Sequence, residues 1–235
     1  MGASVGRRER LGSRKGPALT NPSLPADLES EPDIAAQLFG DTIEQAREYT
    51  FALASHGEEL GLVGPAEYPR LWTRHIVNSV LLAPLLHGTV GDIGSGAGLP
   101  GLPLAIARPD VHLTLIEPME RRTDWLQSQV EALGLTNVTV VRARAEEVHD
   151  EYTFDQVTAR AVSALSKLIP ITVPLLREGG ELILLKGRSA EAEIEKAAKM
   201  IRKFRLHDVR VEELGSDLET EPTRVLRAMH GDSAE

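Results

Sequence analysis

Four glycines crowd the stretch Gly94-Ser95-Gly96-Ala97-Gly98-Leu99-Pro100-Gly101, and Asp92 stands just before them. Glycine has no Cβ, so a loop of this composition lets main-chain N–H groups come close to a ligand. The apolar run Thr89–Ile93 leads into the loop and a helical pattern over Leu99–Ala107 follows it, which places it at the carboxyl end of a strand. Open α/β sheets bind small molecules at that edge. The chemistry on offer is nucleotide binding rather than a tight turn alone.

The glycines do not decide which nucleotide. Gly96 to Gly101 satisfies the dinucleotide pattern G-x-G-x-x-G, and Glu117 follows about twenty residues later, where a carboxylate takes ribose hydroxyls. Glu117 serves either reading. Asp92 separates them, because a carboxylate suits the cationic methionine end of S-adenosylmethionine and would repel a pyrophosphate. A dehydrogenase also needs a substrate domain and a proton relay beside the nicotinamide. His149, His207 and His230 fall outside the strand-end loops, so S-adenosylmethionine is the expected cofactor.

Two further strand ends carry polar residues: Arg142-Ala143-Arg144-Ala145-Glu146-Glu147 and Ala159-Arg160-Ala161-Val162-Ser163. The main chain at Ala145 and the carboxylate of Glu146 can bracket an adenine ring. Glu146 equally suits a helix N-terminus, where the dipole favours a carboxylate. Arg160, between apolar neighbours, is either a structural ion pair or a ligand-facing donor. Arg70, Arg74, His75, Arg121, Arg122, Lys186 and Arg188 fall near the same edge and are the candidate RNA contacts, against the alternative of scattered surface charge. His75, beside Trp72 and Ile76, reads equally well as a packing residue.

A scaffold must bring these positions together. From Leu86 onward strand and helix patterns alternate: Thr89–Ile93 then Leu99–Ala107, His112–Ile116 then Arg121–Leu133, Val138–Val141 then a turn, Gln156–Thr158 then Leu165–Leu176, Glu181–Leu185 then Ala190–Phe204. Such alternation predicts a doubly wound, mostly parallel α/β sheet. Asp208–Leu214 and Thr223–Met229 have no helix between them, which predicts an antiparallel finish. Ahead of the sheet, Ile34, Leu38, Ile43, Ala46, Phe51 and Leu53 mark a helical segment, with Asp41 placed to cap its second part. A third helix is expected from near Glu67 until Pro84 stops it. The expected division is a basic, proline-containing disordered arm over 1–32, a helical layer over 33–86, a methyltransferase-type domain over 87–230 and a tail over 231–235.

Composition narrows the function. The 235 residues suit one main domain. A net charge of −9 argues against indiscriminate polyanion binding, so an RNA site must be a local basic patch. With no cysteine, disulfides, zinc thiolates, iron–sulfur clusters and thiol nucleophiles are excluded, and no metal is expected. No apolar run approaches the ~20 residues of a bilayer span. Arg7, Arg8, Arg10, Arg14 and Lys15 precede no apolar stretch of a secretory signal, so a cytoplasmic location is expected.

The glycine loop extended by Leu102-Pro103, the Arg74-His75-Ile76 helix, the Glu146 turn, Arg160-Ala161 and Leu185-Lys186-Gly187 together resemble the GidB family, the ribosomal small-subunit RNA methyltransferase G group. The resemblance runs from Phe51 to Lys186. It implies cofactor contacts at Gly94, Leu99, Ala145, Glu146 and Arg160, beside Gly96 and Glu117. It also implies methyl transfer to N7 of a guanine in the decoding-region loop of 16S ribosomal RNA, as bare RNA or in a small-subunit particle. One departure is Asn78, where family members often carry an aspartate. Methylases of exocyclic amines usually show an Asn/Asp-Pro-Pro-aromatic tetrad after the fourth strand; Thr158-Ala159-Arg160-Ala161 suits a ring nitrogen better. A ring nitrogen needs no general base, so no catalytic acid or base is assigned. A monomer is expected for an enzyme that approaches a large particle. The alternatives are a methyltransferase of small molecules or proteins, a nicotinamide-dependent oxidoreductase and a non-catalytic RNA-binding module.

Overall fold

The computed structural model describes residues 24–160 and 163–232. The apolar runs form seven strands: β1 Thr89–Ile93, β2 His112–Ile116, β3 Val138–Val141, β4 Phe154–Arg160, β5 Leu176–Lys186, β6 Leu206–Leu214 and β7 Thr223–His230. They build one sheet in the order β3-β2-β1-β4-β5-β7-β6. β1 to β5 pair in parallel, and β7 enters antiparallel between β5 and β6. Strand order reverses between β1 and β4, so the loops after β1, β2, β3 and β4 share one edge around that switch point. β5 begins earlier than its apolar run suggests, because Leu176 already pairs with Phe154 ahead of a register shift.

The helices are α1 Asp33–Phe39, α2 Ile43–His56, α3 Asn78–Val80, α4 Gly101–Ala107, α5 Glu120–Ala132, α6 Leu165–Thr172 and α7 Ala190–Lys203. Leu168 and Ile169 of α6 and Ala197 of α7 pack with one face of the sheet. On the other face Phe39, Leu53, Leu71 and Ile76 share a core with Leu104 of α4 and Leu126 of α5. The N-terminal layer therefore continues the hydrophobic core of the sheet and reaches the edge where the site lies.

Several expectations change in this layer. Phe51 faces outward, 53% exposed, while Ala46, Tyr49, Thr50 and Leu53 form the buried stripe of α2 at three- and four-residue spacing. Thr42, not Asp41, stands at the start of α2, and no side chain caps it. The expected third helix is broken into a 3-10 turn over Pro65–Arg70, a π-helix over Leu71–Val77 and then α3. Pro69 lies inside the first piece and has no N–H to donate to a regular helix. π-Helical turns recur at functional sites, and this one carries Arg74 and His75.

The boundary at residue 32 also moves. Glu29 N donates to Tyr68 O at 2.9 Å and Thr73 N donates to the Glu29 carboxylate at 3.0 Å. Arg47 pairs with Glu31 at 2.6 Å. Leu28, Glu29 and Glu31, expected within the arm, are thus held against the helical layer. The basic part of the arm, and the last three residues of the tail, lie outside the described residues.

Asn78 has a role in this frame. In the amide orientation that satisfies its neighbours, Nδ2 donates to Thr223 Oγ1 at 2.9 Å and to the carbonyls of Thr73 and Glu221 at 3.2 Å each. It ties the π-helix to β7, and it reaches main-chain acceptors that a carboxylate would repel. Asn78→Asp should therefore destabilise the protein by about 1–3 kcal/mol, read as a lower melting temperature at neutral pH. An unchanged melting temperature would remove this role from Asn78.

Candidate active site

The glycine loop leaves β1 by turning over β2: Gly94 N donates to Ile116 O at 2.8 Å. Gly96 has φ +57°, and a Cβ there would meet nothing nearer than Gly94 O at 3.8 Å, so that face of the loop is open. Gly101 serves packing instead, since a Cβ would run into Leu115 and come within 2.6 Å of Asp92 Oδ2. Leu99 is buried at the loop's far end.

Two acidic side chains underlie the loop. Glu117, 2% exposed, follows the last residue of β2. Its Oε2 accepts from Gly96 N and its Oε1 from Met119 N, both at 3.0 Å. A carboxylate has about four acceptor positions, so lone pairs remain for ribose hydroxyls. Asp92 is fully buried; Oδ2 accepts from Gly101 N at 3.2 Å and Oδ1 has no partner. Burial pushes its pKa up to about 7, against the Gly101 N–H and the charge of Arg160, which favour the carboxylate. An orphaned buried acidic oxygen, an open glycine face and a ribose-ready carboxylate suit a cationic nucleoside, so the residues fit S-adenosylmethionine.

Two residues that sequence reasoning passed over hold the loop. Tyr49 Oη and Trp125 Nε1 both donate to Ala97 O, at 3.0 and 2.8 Å. Their only sequence signal is helical periodicity, which marks them as core and says nothing of a shared acceptor. Burial raises the pKa of Tyr49, so its hydroxyl stays a donor. Tyr49→Phe should lower affinity for S-adenosylhomocysteine several-fold, about the 0.5–1.5 kcal/mol of one hydrogen bond. Calorimetric titration checks this; unchanged affinity would show that the loop keeps its shape without the bond.

The ends of β3 and β4 complete the edge. Ala145 is buried and Glu146 exposed in the turn after β3. The capping contact goes to the neighbour, since Arg144 N donates to Glu147 Oε2 at 2.9 Å. Arg160 ends β4, half-buried, with Nη2 donating to His75 Nδ1 at 2.8 Å and Nη1 to Arg74 O at 3.5 Å. No ion pair joins it to an acid among the described residues. Burial lowers its pKa, with Tyr49 and Asp92 opposing.

The candidate RNA contacts divide. Arg121 and Arg188 are exposed, and so is Arg74, whose side chain is 52% accessible. Arg70 is exposed too and pairs with Glu67 at 2.8 Å. The other three turn inward. His75 is 8% exposed, with both ring nitrogens engaged. Arg122 lies 3.9 Å from Glu117. Lys186, whose side chain is 8% exposed, pairs with Glu193 at 2.9 Å and donates to Ser163 O at 3.2 Å. A strand-end lysine beside a glycine looks solvent-facing in sequence; the acid one helical turn into α7 captures it.

A sheet of this order, with a glycine loop after β1 and a carboxylate after β2, defines the class of S-adenosylmethionine-dependent methyltransferases. The fold is shared with a tRNA methyltransferase from Aquifex aeolicus, TM-score 0.52 and 15% identity, covering 66% of this chain and 69% of that one. An O-methyltransferase from Thermotoga maritima gives TM-score 0.50 and 17% identity, covering 68% and 66%. Residues 42–221 match the family model GidB, rRNA small subunit methyltransferase G, and the chain belongs to that family. Among its relatives, ribosomal RNA small subunit methyltransferase G of Clavibacter michiganensis is 64% identical over 87% of this chain and 97% of its own. The protein of that name from Corynebacterium glutamicum is 48% identical over 83% and 90%.

Proposed function

We propose that the protein transfers a methyl group from S-adenosylmethionine to N7 of a guanine in the decoding-region loop of 16S ribosomal RNA. The observation that carries this is the meeting, at one sheet edge, of the open glycine face, Glu117 and an arginine with no acidic partner among the described residues, in a chain of the methyltransferase G family. Bound there, S-adenosylmethionine supplies a methyl group on a positively charged sulfur. Gly94, Gly96, Leu99, Ala145 and Glu146 hold the nucleoside and Glu117 its ribose. Asp92 compensates the cationic end, and Arg160 offers N–H donors to the cofactor.

Guanine N7 carries an in-plane lone pair and no proton, so these residues have no proton to remove. Their work is alignment, and proximity and orientation supply about 7–11 kcal/mol in favourable cases. Arg70, Arg74, Arg121 and Arg188 form the exposed basic rim that meets phosphate, which reconciles RNA binding with a net charge of −9. The protein is expected to act as a cytoplasmic monomer on bare RNA or on a small-subunit particle. No helix among the described residues is long and apolar enough to cross a membrane.

The test is incubation of purified protein and labelled S-adenosylmethionine with bare 16S RNA and with small-subunit particles, followed by mapping of the label. Label at a guanine N7 of the decoding-region loop is the expected result. Label on another atom, or transfer only to free guanosine, would overturn the assignment.

A further inference from the structure

We infer that Glu67 and His75 are positioning residues for Arg160: the Glu67 carboxylate holds His75 as its Nε2–H tautomer, and Nδ1 of that neutral ring aims the guanidinium at the cofactor edge. The inference rests on the reading of Arg160 as a cofactor contact. Arg160 Nη2 lies 2.8 Å from His75 Nδ1, and His75 Nε2 lies 2.7 Å from Glu67 Oε2. A guanidinium has only donors, so the nitrogen facing it must carry the lone pair. An ionised carboxylate has only acceptors, so the other nitrogen must carry the proton. Geometry therefore fixes one tautomer of a neutral ring.

The groups around the ring support that state. Burial first, then the charge of Arg160, pushes the His75 pKa down to about 4; Arg74 acts in the same direction and Glu67 against it. Glu67 also receives Arg70 at 2.8 Å and Arg74 at 3.7 Å. Burial works against its ionised form, but the bonds from Arg70 and His75 outweigh it and hold the carboxyl below its usual range.

The arrangement has a chemical point. A carboxylate touching Arg160 directly would engage its fork bidentately and cancel its charge. Here both hydrogen-bond partners of Arg160 among the described residues are neutral, an imidazole nitrogen and the Arg74 carbonyl. The counter-charge sits one ring away. Arg160 is oriented while its charge and remaining N–H groups stay available to a ligand at the ends of β1 and β4.

The test combines nitrogen-15 NMR of the His75 ring with calorimetric titration of S-adenosylhomocysteine into the wild type, His75→Leu, Glu67→Leu and Glu67→Gln. The wild-type ring should carry its proton on Nε2 at neutral pH. Both leucine variants should bind S-adenosylhomocysteine about tenfold more weakly, the loss of one hydrogen bond to a charged group. Glu67→Gln, whose carbonyl oxygen still accepts from Nε2–H, should recover most of that loss. Should His75→Leu fail to fold, the partly exposed Glu67 site carries the comparison. A proton on Nδ1, unchanged affinity in the leucine variants, or equal losses in Glu67→Gln and Glu67→Leu would each overturn the relay. Failure of the wild type itself to bind S-adenosylhomocysteine would overturn the cofactor reading beneath it, while the tautomer would still test the contact.

Discussion

Replacing Arg160 with alanine should lower kcat/KM for methyl transfer by about 10–100-fold and leave the protein folded. The magnitude is that of a hydrogen bond to a charged group, about 1.5–3 kcal/mol. The folding half follows from its partners. Removing one member of a buried ion pair costs about 3–5 kcal/mol, because a charge is left uncompensated. Arg160 pairs with no acid among the described residues, and its removal leaves behind only neutral acceptors, His75 Nδ1 and Arg74 O. Kinetics on ribosomal RNA and a thermal melt of the same variant check the two halves together. Full activity would remove Arg160 from the site, and a collapse in melting temperature would make it a structural residue.

Asp92→Asn should make the ligand-free protein more stable above neutral pH and weaken its binding of S-adenosylhomocysteine. An aspartate at its ordinary pKa of 3.8 is ionised in the unfolded chain, whereas in the folded protein burial holds the group protonated up to about pH 7. Between those values the folded state binds the extra proton, so stability falls as pH rises. The slope is about 1.4 kcal/mol per pH unit, and the loss over the window is on the order of 4–5 kcal/mol. His75 slopes the other way: its pKa of about 4 lies below the ordinary 6.5, so its contribution is lost as pH falls through that range. The difference between Asp92→Asn and wild type isolates the aspartate. It should be small near pH 4 and grow to a plateau above pH 7, read from denaturant melts across pH. Asparagine keeps an acceptor for Gly101 N but has no charge for the cationic end of the cofactor, so affinity should fall as stability rises. Equal stability at pH 8 would show that Asp92 is already compensated.

The sequence by itself determined the sheet and the edge at which the candidate site lies. The runs at Thr89, His112 and Val138 are short and bounded by turn residues, and β1, β2 and β3 occupy the expected ranges; β1 and β2 are buried from their second residue onward, as inner strands of a parallel sheet are, while the edge strand β3 is marked by its β-branched residues alone. The glycine loop and Glu117 were legible for a related reason: close main-chain approach demands glycine, and a ribose demands an acceptor at a neighbouring strand end.

Tertiary structure alone decided the partners. Lys186 and His75 looked like RNA contacts because a basic residue near a binding edge is ambiguous until its neighbours are known; Glu193 and Glu67 resolve them inward. Asn78 looked like a lost carboxylate, and the carbonyls around it make it the fitting amide. Tyr49 and Trp125 are 76 positions apart in the chain and share one carbonyl of the loop. Periodicity reports which face of an element is buried, but hydrogen-bond partners are set by how elements from distant parts of the chain pack against one another.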